Sequence, residues 1–185
     1  MKKSVLVGGA TLLAVVAAVV IAGIIRFNFT DGGDVLGDQK RESEIRDLAI
    51  TIDNQTFRMS NGVAESPAEP GSATKNTLRL VGEPAMGDIN GDGDPDAGLL
   101  VANDPGGSGT FYYAVVAIND AGTYHASNVL PLGDRIEPQT VVFTDGHFVY
   151  NFAERKPGEP MSERPSVEKT VTISVDKATG VIAAS

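Results

Sequence analysis

The chain has 185 residues, 42% of them hydrophobic, which is enough for one folded domain of ordinary size with an additional terminal segment. A formal charge of −9 argues against nucleic acid as a partner, because phosphate backbones are bound by basic surfaces. The absence of cysteine excludes disulfides, thiolate-ligated metal sites and lipid attachment to a cysteine.

The N-terminal segment predicts a single transmembrane helix. Residues 1–3 form a short cationic tip, and residues 4–25 then run without a charge for about 22 residues, or about 33 Å as a helix. This length favours an uncleaved signal-anchor helix, whereas cleavage of a signal peptide near Ala22 and Gly23 is the alternative. Because lysines precede the span, the positive-inside rule places the N-terminus inside and the C-terminal domain outside the cytoplasmic membrane.

The rest of the chain predicts a polar linker followed by an extracytoplasmic β domain. Residues 26–47 are polar and mixed in charge, and a helical turn around 42–47 is compatible with that linker. The β domain is expected at 48–185, with a surface loop at 64–74 that is rich in proline, glycine, serine and alanine. Alternating or apolar runs predict strands at 48–52, 56–59, 77–81, 97–102, 111–118, 123–130, 139–143, 147–152, 166–175 and 181–182.

The fold class follows from the kind of periodicity that the domain shows. We find no sustained 3.6-residue period after residue 25, whereas period-two alternation and turn residues recur throughout. The expected fold is therefore mainly β, with one antiparallel β-sandwich or a partly closed barrel.

Residues 88–96, which we call the acidic loop, carry oxygen-bearing side chains at alternate positions and a glycine after the third. Carboxylates crowded this closely repel one another unless a cation sits among them. Many oxygen donors in a flexible loop suit Ca²⁺ better than Mg²⁺, which demands a more regular geometry. The expected metal ligands are the side chains of Asp88, Asn90, Asp92 and Asp96, together with a backbone carbonyl at Asp94. A metal-free turn built from the same residues is the alternative.

The pattern Asp-x-Asn-x-Asp-Gly-x-x-Asp, followed here by an apolar strand, resembles the calcium loops of FG-GAP and VCBS-type repeats. The resemblance covers about 15 residues and occurs once, so it implies a calcium ligand set with a main-chain contribution from Asp94 but no propeller.

An EF-hand is disfavoured, because its twelfth position falls on Leu99, where that motif needs a bidentate Glu. Segments 107–113, 132–136 and 155–161 look like small exported bacterial proteins, which implies a compartment rather than a reaction.

No constellation of residues predicts catalysis. His125 and His147 both lie in expected strands, where a lone histidine is usually structural or solvent-facing. The chain has neither a Gly-x-Ser-x-Gly nor a His-Glu-x-x-His motif, and its Ser-x-x-Lys matches at 72–75 and 166–169 lack the companion motifs. The charges at 134–135 and 154–156 are expected to be solvated or paired at the surface, although an anionic ligand is an alternative for them.

The expected function is that of a membrane-anchored extracytoplasmic calcium-binding β module with a binding or scaffolding role at the cell envelope. Its partner would be an envelope polysaccharide or another protein. The sequence leaves two alternatives open, namely an envelope hydrolase acting on polysaccharide or peptide, and the same domain secreted after signal-peptide cleavage.

Overall fold

The computed structural model describes residues 35–185. The cytoplasmic tip at 1–3, the predicted transmembrane helix at 4–25 and the first part of the linker lie outside the described residues. In the part of the chain that the structure describes, no helix is long and apolar enough to cross a membrane. The elements are α1 (Val35–Arg46), β1 (Ala49–Ile52), β2 (Gln55–Arg58), β3 (Val63–Pro67), β4 (Lys75–Leu80), β5 (Ala85–Gly87), β6 (Asp96–Asp104), β7 (Phe111–Asp120), β8 (Thr123–Ala126), β9 (Leu130–Asp134), β10 (Glu137–Thr144), β11 (His147–Glu154), β12 (Val167–Val175) and β13 (Ile182–Ala184).

The second half of the predicted linker forms a helix, α1, which is longer than the helical turn expected around 42–47 and includes most of it. The chain divides into two units at residues 41 and 42, inside α1, and the fold described below belongs to residues 42–185. In that unit Ile45 is 2% exposed and belongs to the core, while Arg46 pairs with Glu42 at 3.0 Å and with Glu83 at 2.7 Å. Because so few residues of α1 are apolar, no helical period is visible in the sequence.

The largest sheet has seven antiparallel strands, and its central strands are β6 and β7. Strand order is β3-β4-β6-β7-β8, with β5 also paired to β6 and β9 also paired to β7. The first eight residues of β6 are buried on both faces, as the apolar run at 97–102 predicts. Leu99 and Val101 point into one hydrophobic cluster and Leu100 into the other, as the alternation of a strand requires.

Each face of this sheet is covered by a different element. On one face lies the β1-β2 hairpin, whose Ile50 and Phe57 are buried beside Ile45. On the other face lies a four-stranded sheet in the order β10-β11-β12-β13, whose Phe148 and Tyr150 are buried. The predicted mainly β antiparallel class is therefore confirmed, and the sheet curls into a half-barrel.

Local turn chemistry explains why several hairpins lie where the sequence predicts them. Asp53 and Asn54 have φ values of 48° and 66°, and Asp145 and Gly146 have values of 51° and 78°. Two successive residues in the left-handed region form the tight turn that suits the twist of a β-hairpin. The strands predicted at 48–52 and 56–59 pair through such a turn as the β1-β2 hairpin, and those predicted at 139–143 and 147–152 pair as the β10-β11 hairpin.

Two expectations about the strands are wrong in detail, and one short strand, β5, was not predicted. The loop predicted at 64–74 contains β3, a polar edge strand that pairs only with β4 among the described strands. Strand β5 is too short to produce a sequence pattern. The strand predicted at 123–130 is split into β8 and β9, because the Ser127 hydroxyl accepts the Val116 N–H at 3.0 Å while the Ser127 N–H donates to the Val116 carbonyl at 2.8 Å.

Candidate functional site

The acidic loop is the connection between β5 and β6. These strands pair in the register Gly87 with Asp96 and Ala85 with Gly98, so the loop closes a short hairpin on the central strand of the large sheet. All five predicted metal ligands therefore lie on one turn of the chain and at the start of β6.

The carboxylate of Asp88 organises the first half of the acidic loop. Its Oδ1 accepts the N–H of Gly91 at 2.6 Å and that of Asp92 at 3.2 Å, and its Oδ2 accepts the N–H of Gly93 at 3.0 Å. Such side chain–backbone contacts fold the loop back over Asp88. Gly91 and Gly93 have φ values of 78° and 96°, which other residues rarely adopt.

Asn90 and Asp92 continue the same pattern. The Asp92 N–H donates to Asn90 Oδ1 at 2.9 Å, and Asn90 Nδ2 donates to Asp92 Oδ2 at 2.8 Å. The Asp94 N–H donates in turn to Asp92 Oδ1 at 2.8 Å. Asp92 and Asp94 are exposed, whereas Asn90 is half-buried, so the tip of the loop faces solvent.

Asp96 differs from the other predicted ligands because it is fully buried, with 0% exposure. Its two oxygens accept backbone N–H groups from different places, Oδ2 from Ile89 at 3.0 Å and Oδ1 from Asn119 at 2.8 Å. Burial raises the pKa of Asp96, while these N–H groups oppose the rise by stabilising the charged form. The carboxylate thus ties the acidic loop to β7.

A second connection to the β7-β8 hairpin runs through the carbonyl of Pro95. That carbonyl accepts the Tyr124 hydroxyl at 2.9 Å and Asn119 Nδ2 at 3.3 Å, while Asn119 Oδ1 accepts the Gly122 N–H at 2.8 Å. The sequence indicates a turn at 119–122 but gives no sign that it braces the acidic loop. This contact depends on the pairing of β6 with β7, which is a tertiary feature.

The donor set fits a hard cation in its chemistry. All the predicted side-chain ligand atoms are carboxylate or amide oxygens, which hard cations prefer. An oxygen that accepts a single N–H retains a second lone pair that a cation could use. Among residues 35–185, however, no group of three or more His, Cys, Asp or Glu side chains is arranged so that it could hold a metal ion. Backbone N–H groups offset part of the carboxylate repulsion in this arrangement, and Asp96 is directed to backbone donors of the sheet.

A cleft of about 450 Å³ lies beside the acidic loop. It is bounded by Asn90 and Asp92 of the loop, by the β7-β8 hairpin and by the β12-β13 turn. Its charged or titratable lining residues are Asp92, Asp120, His125, Asp176 and Lys177. The cleft therefore has a polar rim with more negative than positive charge.

The two histidines are not brought together. His125 is exposed on β8 at the cleft, while His147 begins β11, with its Nδ1 2.8 Å from the carbonyl oxygen of Asp145. Within the described part of the chain, neither histidine makes a hydrogen bond to a carboxylate side chain.

The charges at 134–135 and 154–156 are used in contacts within the chain. Asp134 accepts the Arg135 guanidinium, with Nη2 at 2.6 Å, and also the Thr110 N–H at 3.0 Å. Arg155 donates to the carbonyls of Arg135 at 2.8 Å and Glu163 at 2.6 Å. The hydrogen bonds from the Arg135 side chain lower the pKa of Asp134 below its ordinary value. These contacts hold neighbouring loops together, which agrees with surface pairing.

Comparison with protein families, with curated proteins and with solved structures found no match for this chain. The features that bear on function are therefore the acidic loop, the cleft beside it and the N-terminal sequence.

Proposed function

We propose that this chain is a membrane-anchored extracytoplasmic β module that binds Ca²⁺ at the acidic loop and has a binding or scaffolding role at the cell envelope. The observation that carries the proposal is the acidic loop itself, in which Asp88, Asn90 and Asp92 already curve the backbone around their own oxygens. The uncharged run at 4–25 in the sequence supports the membrane anchor, because its length matches the thickness of a bilayer core.

In the proposed site the side-chain ligands are Asp88, Asn90, Asp92 and Asp96, and Asp94 contributes its main-chain carbonyl. A bound divalent cation would offset the mutual repulsion of the carboxylates and the cost of burying the Asp96 charge. The role of the metal is structural, because it would hold the β5-β6 connection in one conformation at the edge of the cleft.

The proposed partner of the module is an envelope polysaccharide or another protein. The cleft supports this choice, because its rim offers several polar side chains next to the apolar residues Ile118, Val175 and Val181. Binding sites typically combine apolar lining residues with a few polar groups that orient the ligand.

One observation favours a second candidate, an envelope hydrolase. Asp92, Asp120 and Asp176 line the same cleft, and paired carboxylates can cleave glycosidic bonds. The replacements Asp120→Asn and Asp176→Asn would abolish hydrolysis of envelope polysaccharide if those residues were the catalytic pair.

The mass of the protein recovered from cells distinguishes the anchored form from a domain secreted after cleavage.

Thermal denaturation of the detergent-solubilised full chain tests the calcium proposal. We expect Ca²⁺ added after chelation to raise the melting temperature, since a ligand at 100 times its dissociation constant stabilises the folded state by about 2.7 kcal/mol. The double variant Asp88→Asn, Asp92→Asn should lose the shift. Asp53→Asn is the matched control, because it removes a carboxylate from the distant β1-β2 turn where Asn suits the backbone. No shift for the unmodified chain at millimolar Ca²⁺ would refute the site.

A further inference from the structure

The four-stranded sheet has an outward face whose central positions carry no charge. The inward side chains of β10, β11 and β12 include Val141, Phe148 and Ile173, which belong to one hydrophobic cluster. Because side chains alternate along a strand, the residues between the inward positions point away from the core. Six of them, all exposed or half-buried, form what we call the threonine face: Thr140, Val142, Val149, Asn151, Thr170 and Thr172.

The lack of charge is a property of this face and not of the chain. The chain has 15 basic and 24 acidic residues, and the exposed side chains of β3 and β4 include Glu65, Lys75 and Arg79. Glu168 of β12 lies at the next outward position beyond Thr170, and its carboxylate accepts Gln139 Nε2 at 2.7 Å. A charged ligand would meet no opposite charge on the six residues, so the threonine face suits an uncharged ligand.

One row of the threonine face is held by side-chain hydrogen bonds across three strands. Thr140, Asn151 and Thr170 lie opposite one another in the register of β10, β11 and β12. Asn151 Nδ2 donates to Thr140 Oγ1 at 3.0 Å, and Thr170 Oγ1 donates to Asn151 Oδ1 at 2.8 Å. The Thr140 hydroxyl keeps its proton for another acceptor, and Thr170 Oγ1 keeps its lone pairs. This row therefore presents a donor at one end and an acceptor at the other, in fixed positions.

The neighbouring row is mostly apolar. Val142, Val149 and Thr172 lie opposite one another, about 6.6 Å from the first row, and Thr144 pairs with His147 beyond them. An apolar row between polar rows suits a sugar ring, which presents C–H groups framed by hydroxyl groups. Neighbouring strands are about 4.8 Å apart, which is close to the length of one residue in an extended glycan chain.

The size of the threonine face decides between two kinds of partner. Three strands over the length of Thr140 to Thr144 span about 14 Å by about 17 Å, or roughly 240 Å². A stable dimer buries about 800 Å² on each partner, so this face is too small to hold a second copy of the chain. A few residues of a polysaccharide would cover it.

We infer that the threonine face is a binding site for an uncharged polysaccharide that lies across the strands of the four-stranded sheet. Its sugar rings pack on Val142 and Val149, and their hydroxyl groups exchange hydrogen bonds with the polar rows on either side. The inference rests on the proposed binding role at the envelope, but it uses neither the acidic loop nor the cleft. A failure of the calcium test would therefore leave it standing.

Biolayer interferometry with the detergent-solubilised full chain tests the inference. The uncharged and the anionic polysaccharide fractions of the producing cell's envelope are offered separately, and we expect binding of the uncharged fraction. The double variant Thr140→Val, Thr170→Val removes both hydroxyl groups but keeps the β-branched shape that suits a strand. It should weaken binding about 5- to 30-fold, as expected for the loss of two hydrogen bonds.

Thr77→Val is the matched control, because Thr77 is half-buried on β4 in the other sheet and the chemical change is the same. It should bind like the unmodified chain. The inference would be overturned by absent binding of the uncharged fraction, by tighter binding of the anionic fraction, or by equal binding of the double variant and the unmodified chain. Light scattering of the same samples detects a second copy, and a dimer that the double variant dissociates would also overturn it.

Discussion

A Cβ atom on Gly98 would lie 2.6 Å from the ring of Phe148, so the aromatic ring of one sheet rests directly on the backbone of the other. Gly87, which flanks the acidic loop at its other end, has the same relationship with Phe143, at 2.1 Å. The two rings contact each other with centroids 5.0 Å apart and an interplanar angle of 56°. Both strands of the hairpin that carries the acidic loop therefore pack against aromatic rings, β5 at Gly87 and β6 at Gly98.

Gly98→Ala is therefore expected to destabilise the protein. The added methyl group overlaps a buried ring that the surrounding core holds in place, and overpacking of this kind costs about 1–3 kcal/mol. Urea denaturation should show the loss as a lower midpoint. Gly107→Ala is the matched control, since a Cβ there meets nothing within 4 Å and the backbone needs no left-handed conformation. Equal stability of the two variants would show that Phe148 does not require a glycine beneath it.

Asp96→Asn is expected to destabilise the protein although it removes a buried charge. Both carboxylate oxygens accept backbone N–H groups, one from Ile89 and one from Asn119. In the asparagine variant, the side-chain NH₂ group would face one of these N–H groups, which would then have no acceptor. Leaving a buried N–H without an acceptor costs about 1–3 kcal/mol. The free energy of unfolding should be measured in a chelator, so that metal binding does not contribute.

Asp94→Asn serves as the comparison for that measurement, because Asp94 is exposed and the replacement also removes one carboxylate from the acidic loop. It should change stability by less than about 0.5 kcal/mol. A stabilised Asp96→Asn variant would mean that the cost of burying the charge exceeds the value of the two hydrogen bonds.

Asp134 is expected to contribute a pH-dependent part of the stability. Arg135 and the Thr110 N–H lower its pKa in the folded state, so the folded protein binds this proton less readily than the unfolded chain. The contribution is therefore present above the ordinary value of 3.8 and is lost as pH falls through the lower pKa of the folded state. Asp134→Asn should cost about 1 kcal/mol at pH 7 and progressively less in acid.

Denaturation of this variant and the unmodified chain over a range of pH provides the measurement. Asp145→Asn is the control, because Asp145 is an exposed turn residue with a φ of 51° that Asn adopts readily. A difference between Asp134→Asn and the unmodified chain that stays constant down to about pH 2 would contradict the linkage.

Much of the β architecture is encoded locally. The apolar run of β6 and the aromatic and β-branched run of β7 predict buried strands because their side chains suit a pleated, enclosed surface. The pairs Asp53-Asn54 and Asp145-Gly146 predict hairpins because few residue types accept the required positive φ values. The alternating oxygens of the acidic loop are likewise a property of neighbouring residues, and its Asx turns form within that segment.

Tertiary structure alone decided how these local pieces meet. Asn119 and Tyr124 brace Pro95 because β6 pairs with β7, and Lys177 reaches Gly91 because β13 is held against Asn128. Only glycine fits at position 98, because the Phe148 ring of the other sheet occupies the space where a Cβ atom would lie. A periodic pattern reports which face of a strand is buried, but not what buries it, since the partner is chosen by packing between segments far apart in the chain.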